Sequence, residues 1–265
     1  MQLGSSLAKG VFDTVGSFGA VALRLFFAAT VLVLVWRPRL NLGRRAWLAV
    51  VAYGLVLGAM NLFFYLALFR IPLGVAVTIE VLGPLAMALV GSRRLLDVFW
   101  VILAICGVLL LAEGSTGLDL LGVLFATAAG LCWGLYIPIG AALGRHTTEG
   151  NGLALGMTVA ALVAVPFGVI QSGVELINPV VAIAGFGIAL LSSVVPYTLD
   201  LEALRRMPPR VFGILMSLEP ALAAIVGLLV LREVLVVSQW LAVLCVVVAS
   251  AGAAFGARPR RPTRD

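Results

Sequence analysis

Residues 211–231 read VFGILMSLEPALAAIVGLLVL and are apolar throughout except for Ser217 and Glu219. About 20 apolar residues in a helix can cross the hydrocarbon core of a membrane. A carboxylate in the middle of such a span is costly in lipid, so Glu219 is expected to face a helix-bundle interior or a water-filled cavity. Pro220 removes one backbone donor and opens the helix there. This pattern is typical of a transport site; the alternative is a kinked packing helix whose glutamate is merely paired.

Apolar sequence of this kind extends over the whole chain. Of its 265 residues 62% are hydrophobic and 11% are charged, with a mean hydropathy of +1.16, whereas a soluble domain has about 25% charged residues. We therefore predict an all-α, multi-pass membrane protein without a soluble domain. The predicted spans cover residues 17–36, 46–69, 72–90, 98–113, 118–143, 150–171, 179–204, 211–231 and 234–256, approximately.

Composition also excludes several classes of function. The net charge of +6 comes from basic residues in short loops between spans, which is a topology signal, so a nucleic-acid partner is rejected. His146 is the only histidine, and the three cysteines lie in apolar runs without metal or redox spacing. No metal or cofactor is predicted. A membrane-embedded enzyme would need a histidine cluster, a Ser/His pair or a set of metal ligands within the spans, and the sequence has none of these.

The arginines predict the orientation of the spans. They gather in every second connection and at the C-terminus, whereas the alternate connections hold only Arg70 and Arg232. Because Lys and Arg are enriched in cytoplasmic loops, these connections and the C-terminus are expected in the cytoplasm. The arginines concerned are Arg37, Arg39, Arg44, Arg45, Arg93, Arg94, Arg145, Arg205, Arg206, Arg210, Arg258, Arg260, Arg261 and Arg264.

Two segments of the chain repeat each other. RIPLG (70–74) leads to EVLGPLA (80–86), and RMPPR (206–210) leads to MSLEPAL (216–222); in both copies two prolines lie twelve residues apart and an acid precedes the second. The second half holds five spans. The first half also holds five when residues 1–13, a short N-terminal stub, count as part of a span. Since five is odd, the halves insert in opposite orientations. We predict inverted repeats at 1–115 and 116–257 with a basic tail at 258–265, and a substrate site near the midplane between them.

Glu80 and Glu219 are the leading candidates for that site, each close to a predicted helix break at Pro84 or Pro220. An acid kept from bulk water can bind and release a proton or meet a substrate ammonium group; a structural hydrogen bond or ion pair is the alternative. Arg24 lies within the first full span. It could pair with an intramembrane carboxylate or bind a substrate carboxylate, and both interpretations stay open.

The remaining candidates are polar or aromatic groups within the spans. As residues of a cavity wall they compete with a simple packing role or a place in the interfacial aromatic belt. Asp200 and Glu202 are interpreted instead as interfacial charges that pair with Arg205 and Arg206. The wall candidates are Asn61, Tyr65, Trp133, Tyr136, Tyr197 and Ser217.

The paired cores IEVLGPLAMAL (79–89) and MSLEPALAA (216–224), within a ten-span plan, resemble the drug/metabolite transporter superfamily with EamA domains. More narrowly, SLAKGVFDTVG (6–16), ALRLFFAATVLV (22–33), MNLFFYLAL (60–68) and RRLLDVFWVILA (93–104) resemble bacterial threonine/homoserine exporters of the RhtA type. The resemblance implies an inner-membrane exporter of small amino acids, driven by proton antiport, with a central cavity between the halves. Exporters of purines, aromatic amino acids or cationic drugs are the alternative.

The chain departs from this family at its start. Family members carry a complete first span before the SLAK-like segment, whereas residues 1–13 are too short to cross a bilayer and have neither the basic start nor the apolar core of a signal peptide. We expect a truncated first span, from a mis-assigned start or a shortened chain. The sequence leaves a monomer and a homodimer both open.

Overall fold

The computed structural model describes residues 1–90, 95–113, 119–147, 150–199 and 215–256, and every regular element in these ranges is helical. A 3₁₀ turn, Gly173–Ile177, follows α8, and a π-helical turn, Leu190–Val194, continues α9. The helices are α1 (Gln2–Gly10), α2 (Phe12–Trp36), α3 (Arg44–Leu68), α4 (Leu73–Glu80), α5 (Leu82–Val90), α6 (Leu95–Glu113), α7 (Leu120–His146), α8 (Asn151–Ser172), α9 (Pro179–Ala189), α10 (Glu219–Val230) and α11 (Val237–Gly256).

Six helical segments in the described ranges are long and apolar enough to cross a membrane, which confirms a multi-pass helical membrane protein. Three predicted spans correspond to shorter apolar helices in the described ranges, namely Leu73–Met87, Val98–Gly107 and Glu219–Val230. The first full span begins at Phe12, five residues before its predicted start. The six segments are Phe12–Trp36, Arg44–Leu68, Leu120–His146, Asn151–Ile177, Pro179–Leu199 and Val237–Phe255.

A kink at Gly16 interrupts α2, where φ is 65° and ψ is −179°. Backbone groups that a kink releases within a membrane need other partners. The Phe18 amide donates to Gln171 Oε1 at 2.9 Å, and Ser172 Oγ donates to the Val15 carbonyl at 2.5 Å. The end of α8 thus completes the hydrogen bonding of α2.

The break between α4 and α5 lies at Val81, three residues before Pro84. A proline ring clashes with the carbonyl four residues earlier, which here belongs to Glu80, so the helix ends at that point. Pro220 lies instead in the first turn of α10, where its missing amide hydrogen costs nothing. Both prolines therefore place an acid at a helix end.

Small residues let the helices approach closely, as in other membrane bundles. A Cβ atom on Gly83 would lie 1.7 Å from the Gly130 carbonyl oxygen, so α5 and α7 touch through their backbones. A Cβ atom on Gly74 would lie 2.8 Å from Cα of Ala224, where α4 meets α10. The most extensive packing joins α2 to α8, α3 to α7 and α8, and α6 to α11.

Candidate functional site

A cavity of about 870 Å³ lies among α1, α2, α3, α4, α5, α7, α10 and α11. Its wall runs from the α4–α5 break to the end of α7 and the start of α8. Two of the predicted site residues do not line this cavity. Tyr65 is fully buried behind the wall, and Pro220 lies in the first turn of α10. The predicted candidates in the wall are Arg24, Asn61, Glu80, Pro84, Trp133, Tyr136, Tyr197, Ser217 and Glu219.

The two acids come together at the end of the cavity beside the helix breaks. Glu80 is the last residue of α4 and is 7% exposed, and Glu219 is the first residue of α10. Gln2 Nε2 donates to Glu219 Oε1 at 3.0 Å. Glu80 lies within electrostatic reach of both Glu219 and Arg24. The packing of α4 against α10 thus brings two carboxylates, 139 positions apart in the numbering, into one polar cluster.

Arg24 extends from α2 into the cavity and is 5% exposed. Its Nε donates to Ser193 Oγ at 2.9 Å, Nη2 to the Ser192 carbonyl at 3.1 Å, and Nη1 to the Tyr65 hydroxyl at 3.4 Å. Both serines belong to the π-helical turn, and such turns often occur at functional sites. A guanidinium has five N–H donors, so these three contacts leave capacity for an anion in the cavity.

Tyr53 and Tyr136 join α3 to α7 across the cavity wall. Their hydroxyl oxygens are 2.6 Å apart and their ring centroids 4.8 Å apart. Asn61, further along α3, donates from Nδ2 to the Leu57 carbonyl at 2.8 Å. Aromatic surface with a few polar groups is typical of small-molecule sites.

Sequence reasoning missed five polar residues of the wall: Gln2, Ser5, Tyr53, Thr147 and Ser250. Gln2 and Ser5 belong to the N-terminal residues 1–13, whose length predicts only an incomplete span. A usable signal was present, because Gln2, Ser5, Ser6 and Lys9 recur at helical spacing on one face. Tyr53 had the same signal as Tyr136, a tyrosine within a predicted span.

Some predictions fall outside the described residues. These include the proposed pairs of Asp200 and Glu202 with Arg205 and Arg206, and the basic tail 258–265. Among the residues that the structure does describe, no three His, Cys, Asp or Glu side chains gather as a metal-binding group.

Comparison with known proteins gives consistent matches. The model of the EamA-like transporter family matches residues 120–255. The threonine/homoserine exporter RhtA of Salmonella typhimurium strain SL1344 is 41% identical over 262 residues, which is 97% of this chain and 88% of that protein. The threonine/homoserine exporter RhtA of Escherichia coli K12 is 42% identical over 269 residues, which is 100% of this chain and 91% of that protein.

One solved crystal structure is similar to the fold, with a TM-score of 0.59 and 23% sequence identity. The similarity covers 95% of this chain and 93% of that one. At this identity the match concerns the fold alone.

Proposed function

The chain belongs to the EamA-like transporter family, and we propose that it exports threonine, homoserine and similar small amino acids across a bacterial inner membrane. Two relatives more than 40% identical over nearly the whole chain have the name of threonine/homoserine exporters. The observation that carries the proposal is the cavity in which Arg24 lies within electrostatic reach of Glu80. An amino acid is a zwitterion, so a cationic and an anionic side chain in one site match its two charges.

We propose that Arg24 binds the substrate carboxylate and that Glu80, with Glu219, binds the ammonium group. The Arg24 hydrogen bonds to Ser192, Ser193 and Tyr65 hold the guanidinium in one orientation, which lowers the conformational cost of binding. A planar guanidinium suits a carboxylate because it can bind it through two parallel N–H donors. Of the two interpretations of Arg24, the contacts with neutral oxygens favour a role in substrate binding.

Export against a gradient is proposed to depend on proton antiport. Protonation of Glu80 or Glu219 removes the negative charge that attracts the substrate ammonium, so a proton and a substrate compete for the same site. In an alternating-access transporter this competition couples proton entry to substrate exit. The coupling is reciprocal, since each ligand lowers the affinity for the other by the same factor.

We propose that residues 1–115 and 116–257 form inverted repeats, with the arginine-rich loops and the C-terminus in the cytoplasm. The helix packing supports this division. Helices at the same position in the two halves pack together. These pairs are α2 with α8 (second), α4 with α10 (fourth) and α6 with α11 (fifth). The contact of α3 with α7 has a counterpart in that of α1 with α9. A two-fold axis between the halves would produce these pairs.

The test is efflux of labelled threonine and homoserine from cells that express the protein, with and without a proton gradient. We expect gradient-dependent efflux, and its loss in Glu80→Gln at an unchanged amount of protein in the membrane. Glu175→Gln, which neutralises an exposed acid in the 3₁₀ turn, is the matched control. Wild-type efflux with the usual pH dependence in Glu80→Gln would refute the role of Glu80. Failure of the correctly inserted wild-type protein to export either amino acid would favour another metabolite or drug as substrate.

A further inference from the structure

A second charged cluster lies outside the cavity, where α1, α4 and the α10–α11 connection meet. Lys9 Nζ donates to Glu233 Oε1 and to the Ile71 carbonyl, the latter at 3.3 Å. The other carboxylate oxygen, Oε2, accepts the Leu73 amide at 2.8 Å. The Lys9 and Glu233 side chains are 26% and 14% exposed. Two side chains thus tie together three parts of the bundle that are distant in sequence.

The backbone is strained at this cluster. Arg232 has φ of 56°, in the left-handed region that side chains other than glycine rarely adopt, and the Glu233 amide donates to the Gly227 carbonyl at 3.1 Å. This turn directs the Glu233 carboxylate to the N-terminus of α4, whose first amides have no partner within the helix and favour a negative charge. Strain of this kind is often found at parts of a protein that change conformation.

The cluster forms a layer separate from the substrate site. Gln2 and Lys9 are seven residues apart on α1, as are Leu73 and Glu80 on α4, which corresponds to about 10 Å along each helix. Gln2 and Glu80 are at the polar end of the cavity, whereas Leu143, Thr147 and Gly150 mark its other end. Lys9 and Glu233 therefore lie beyond the carboxylates, on the side away from the α7–α8 connection.

We propose that the Lys9–Glu233 ion pair is a gate that closes this end of the transport path and opens each time substrate leaves. The assignment of a transport path rests on the function proposed above, under which this end faces the outside of the cell. Because both side chains are partly exposed, the two charges can return to water when the pair separates. The contact is therefore reversible, unlike a fully buried pair, whose separation would leave charges in lipid.

The other repeat contains residues for a matching gate. Lys9 is the second-last residue of α1 and Arg145 the second-last residue of α7, the first helices of the two halves. Glu233 follows Pro220 by thirteen residues, and Asp97 follows Pro84 by thirteen. Arg145 is exposed at the opposite end of the bundle, near the α7–α8 connection. Under the proposed inverted repeats, Arg145 and Asp97 hold the sequence positions that correspond to Lys9 and Glu233, and one gate is expected to open as the other closes.

Cysteine cross-linking tests the gate in the membrane. Lys9→Cys and Glu233→Cys are combined after Cys106, Cys132 and Cys245 are replaced by serine, and oxidation is followed by gel mobility. We expect the cross-link to form and to stop threonine efflux. Reduction of the cross-link should restore efflux. A cross-linked protein that exports at the uncross-linked rate would overturn the proposal.

Charge variants provide a readout that does not depend on the substrate. In the protein whose three native cysteines are replaced by serine, Ser5→Cys places a single thiol in the cavity wall. The rate at which a membrane-impermeant thiol reagent added outside labels this thiol reports access to the cavity. Glu233→Gln should raise this labelling rate roughly tenfold, because one charge of a partly buried pair loses its partner, and Lys9→Met, which removes the other charge, should raise it to a similar extent. Arg70→Gln, which breaks the more exposed Arg70–Asp119 pair, is the control and should change the rate by less than about fivefold.

These two measurements separate the gate from the proposed function. If labelling responds to the charge variants but neither amino acid is exported, the gate stands and the substrate is wrong. If labelling in Glu233→Gln equals the wild-type rate, the gate is wrong, whatever the substrate.

Discussion

At the scale of single residues, the site depends on how Arg24 is held. Its guanidinium contacts Ser192, Ser193 and Tyr65, and its Cζ lies 5.5 Å from the centre of the Tyr65 ring. A π-helical turn and a fully buried tyrosine thereby orient one cation within a largely apolar wall. Lysine has a compact charge without the planar fork, so it cannot reproduce these contacts.

Arg24→Lys is therefore expected to raise the KM for threonine efflux about tenfold or more, since the loss of one charge-assisted hydrogen bond costs about 1.5–3 kcal/mol. The variant retains the positive charge and should still insert. Efflux kinetics and the amount of protein in the membrane check this. Arg37→Lys, at the exposed end of the same helix, serves as control. An unchanged KM in Arg24→Lys would count against a contact between Arg24 and the substrate.

At the scale of helices, the contact of α5 with α7 positions Glu80. Gly83 touches Gly130, and a Cβ atom on Gly130 would lie 2.7 Å from the Glu80 carbonyl oxygen. The two helices can approach this closely only because neither residue has a side chain. The break that ends α4 at its carboxylate is thus braced by backbone from the other half of the chain.

Gly83→Ala should destabilise the protein by about 1–3 kcal/mol, since the added methyl group meets backbone that cannot move aside easily. Gly144→Ala in α7 is the matched control, because no atom outside its own stretch of helix lies within 4 Å of its Cβ position and alanine favours a helix. Thermal unfolding in detergent measures both. Equal melting temperatures in the two variants would contradict the close contact.

The N-terminus of α7 provides an element whose stability depends on pH. Asp119 accepts the Leu121 amide as the helix N-cap and pairs with Arg70, and the hydrogen bond from Arg70 lowers the pKa of this exposed carboxyl below its usual 3.8. The ionised carboxylate stabilises the folded state above the usual pKa, and this contribution is lost as the pH falls through the lowered pKa.

Asp119→Asn should retain the cap and lose this part of the acid sensitivity, which a series of thermal melts from neutral to strongly acidic pH measures. Because Asp119 is exposed, the difference should be small. A steeper loss of stability in acid than in the wild type would be inconsistent with this account.

At the scale of the whole molecule, Lys9 and Arg145, the second-last residues of α1 and α7, lie at opposite ends of the bundle. Inverted repeats have been proposed to exchange conformations during transport, so that contacts made by one half in one state are made by the other half in the next. The described contacts include Lys9 with Glu233 at one end, and Arg145 is exposed at the other.

Arg145→Glu should slow threonine efflux severalfold, and the addition of Asp97→Arg should restore it, because the pair is expected to close the opposite end in the alternate state. Efflux from cells with matched protein levels measures both variants. His146→Gln, at the neighbouring exposed position, is the control. Equal efflux in the single and double variants would argue against a second gate.

The sequence by itself determined the class of the protein. Apolar runs of span length, the acids placed before prolines and the repeated segments are local patterns, so they predicted a helical membrane transporter and its family, which the matches confirm. The same patterns identified the acids, because a charge within a membrane span is costly enough to be informative alone. The substrate-binding roles of these residues stay predictions.

Only the tertiary structure decided which of these residues meet. It separated Tyr65, behind the wall, from the residues in the wall, and it added Gln2, Ser5 and Tyr53. It also brought Lys9 to Glu233, 224 positions away in the chain. Such contacts depend on how helices from the two halves pack against each other, and the spacing of residues along one helix contains no information about its neighbours.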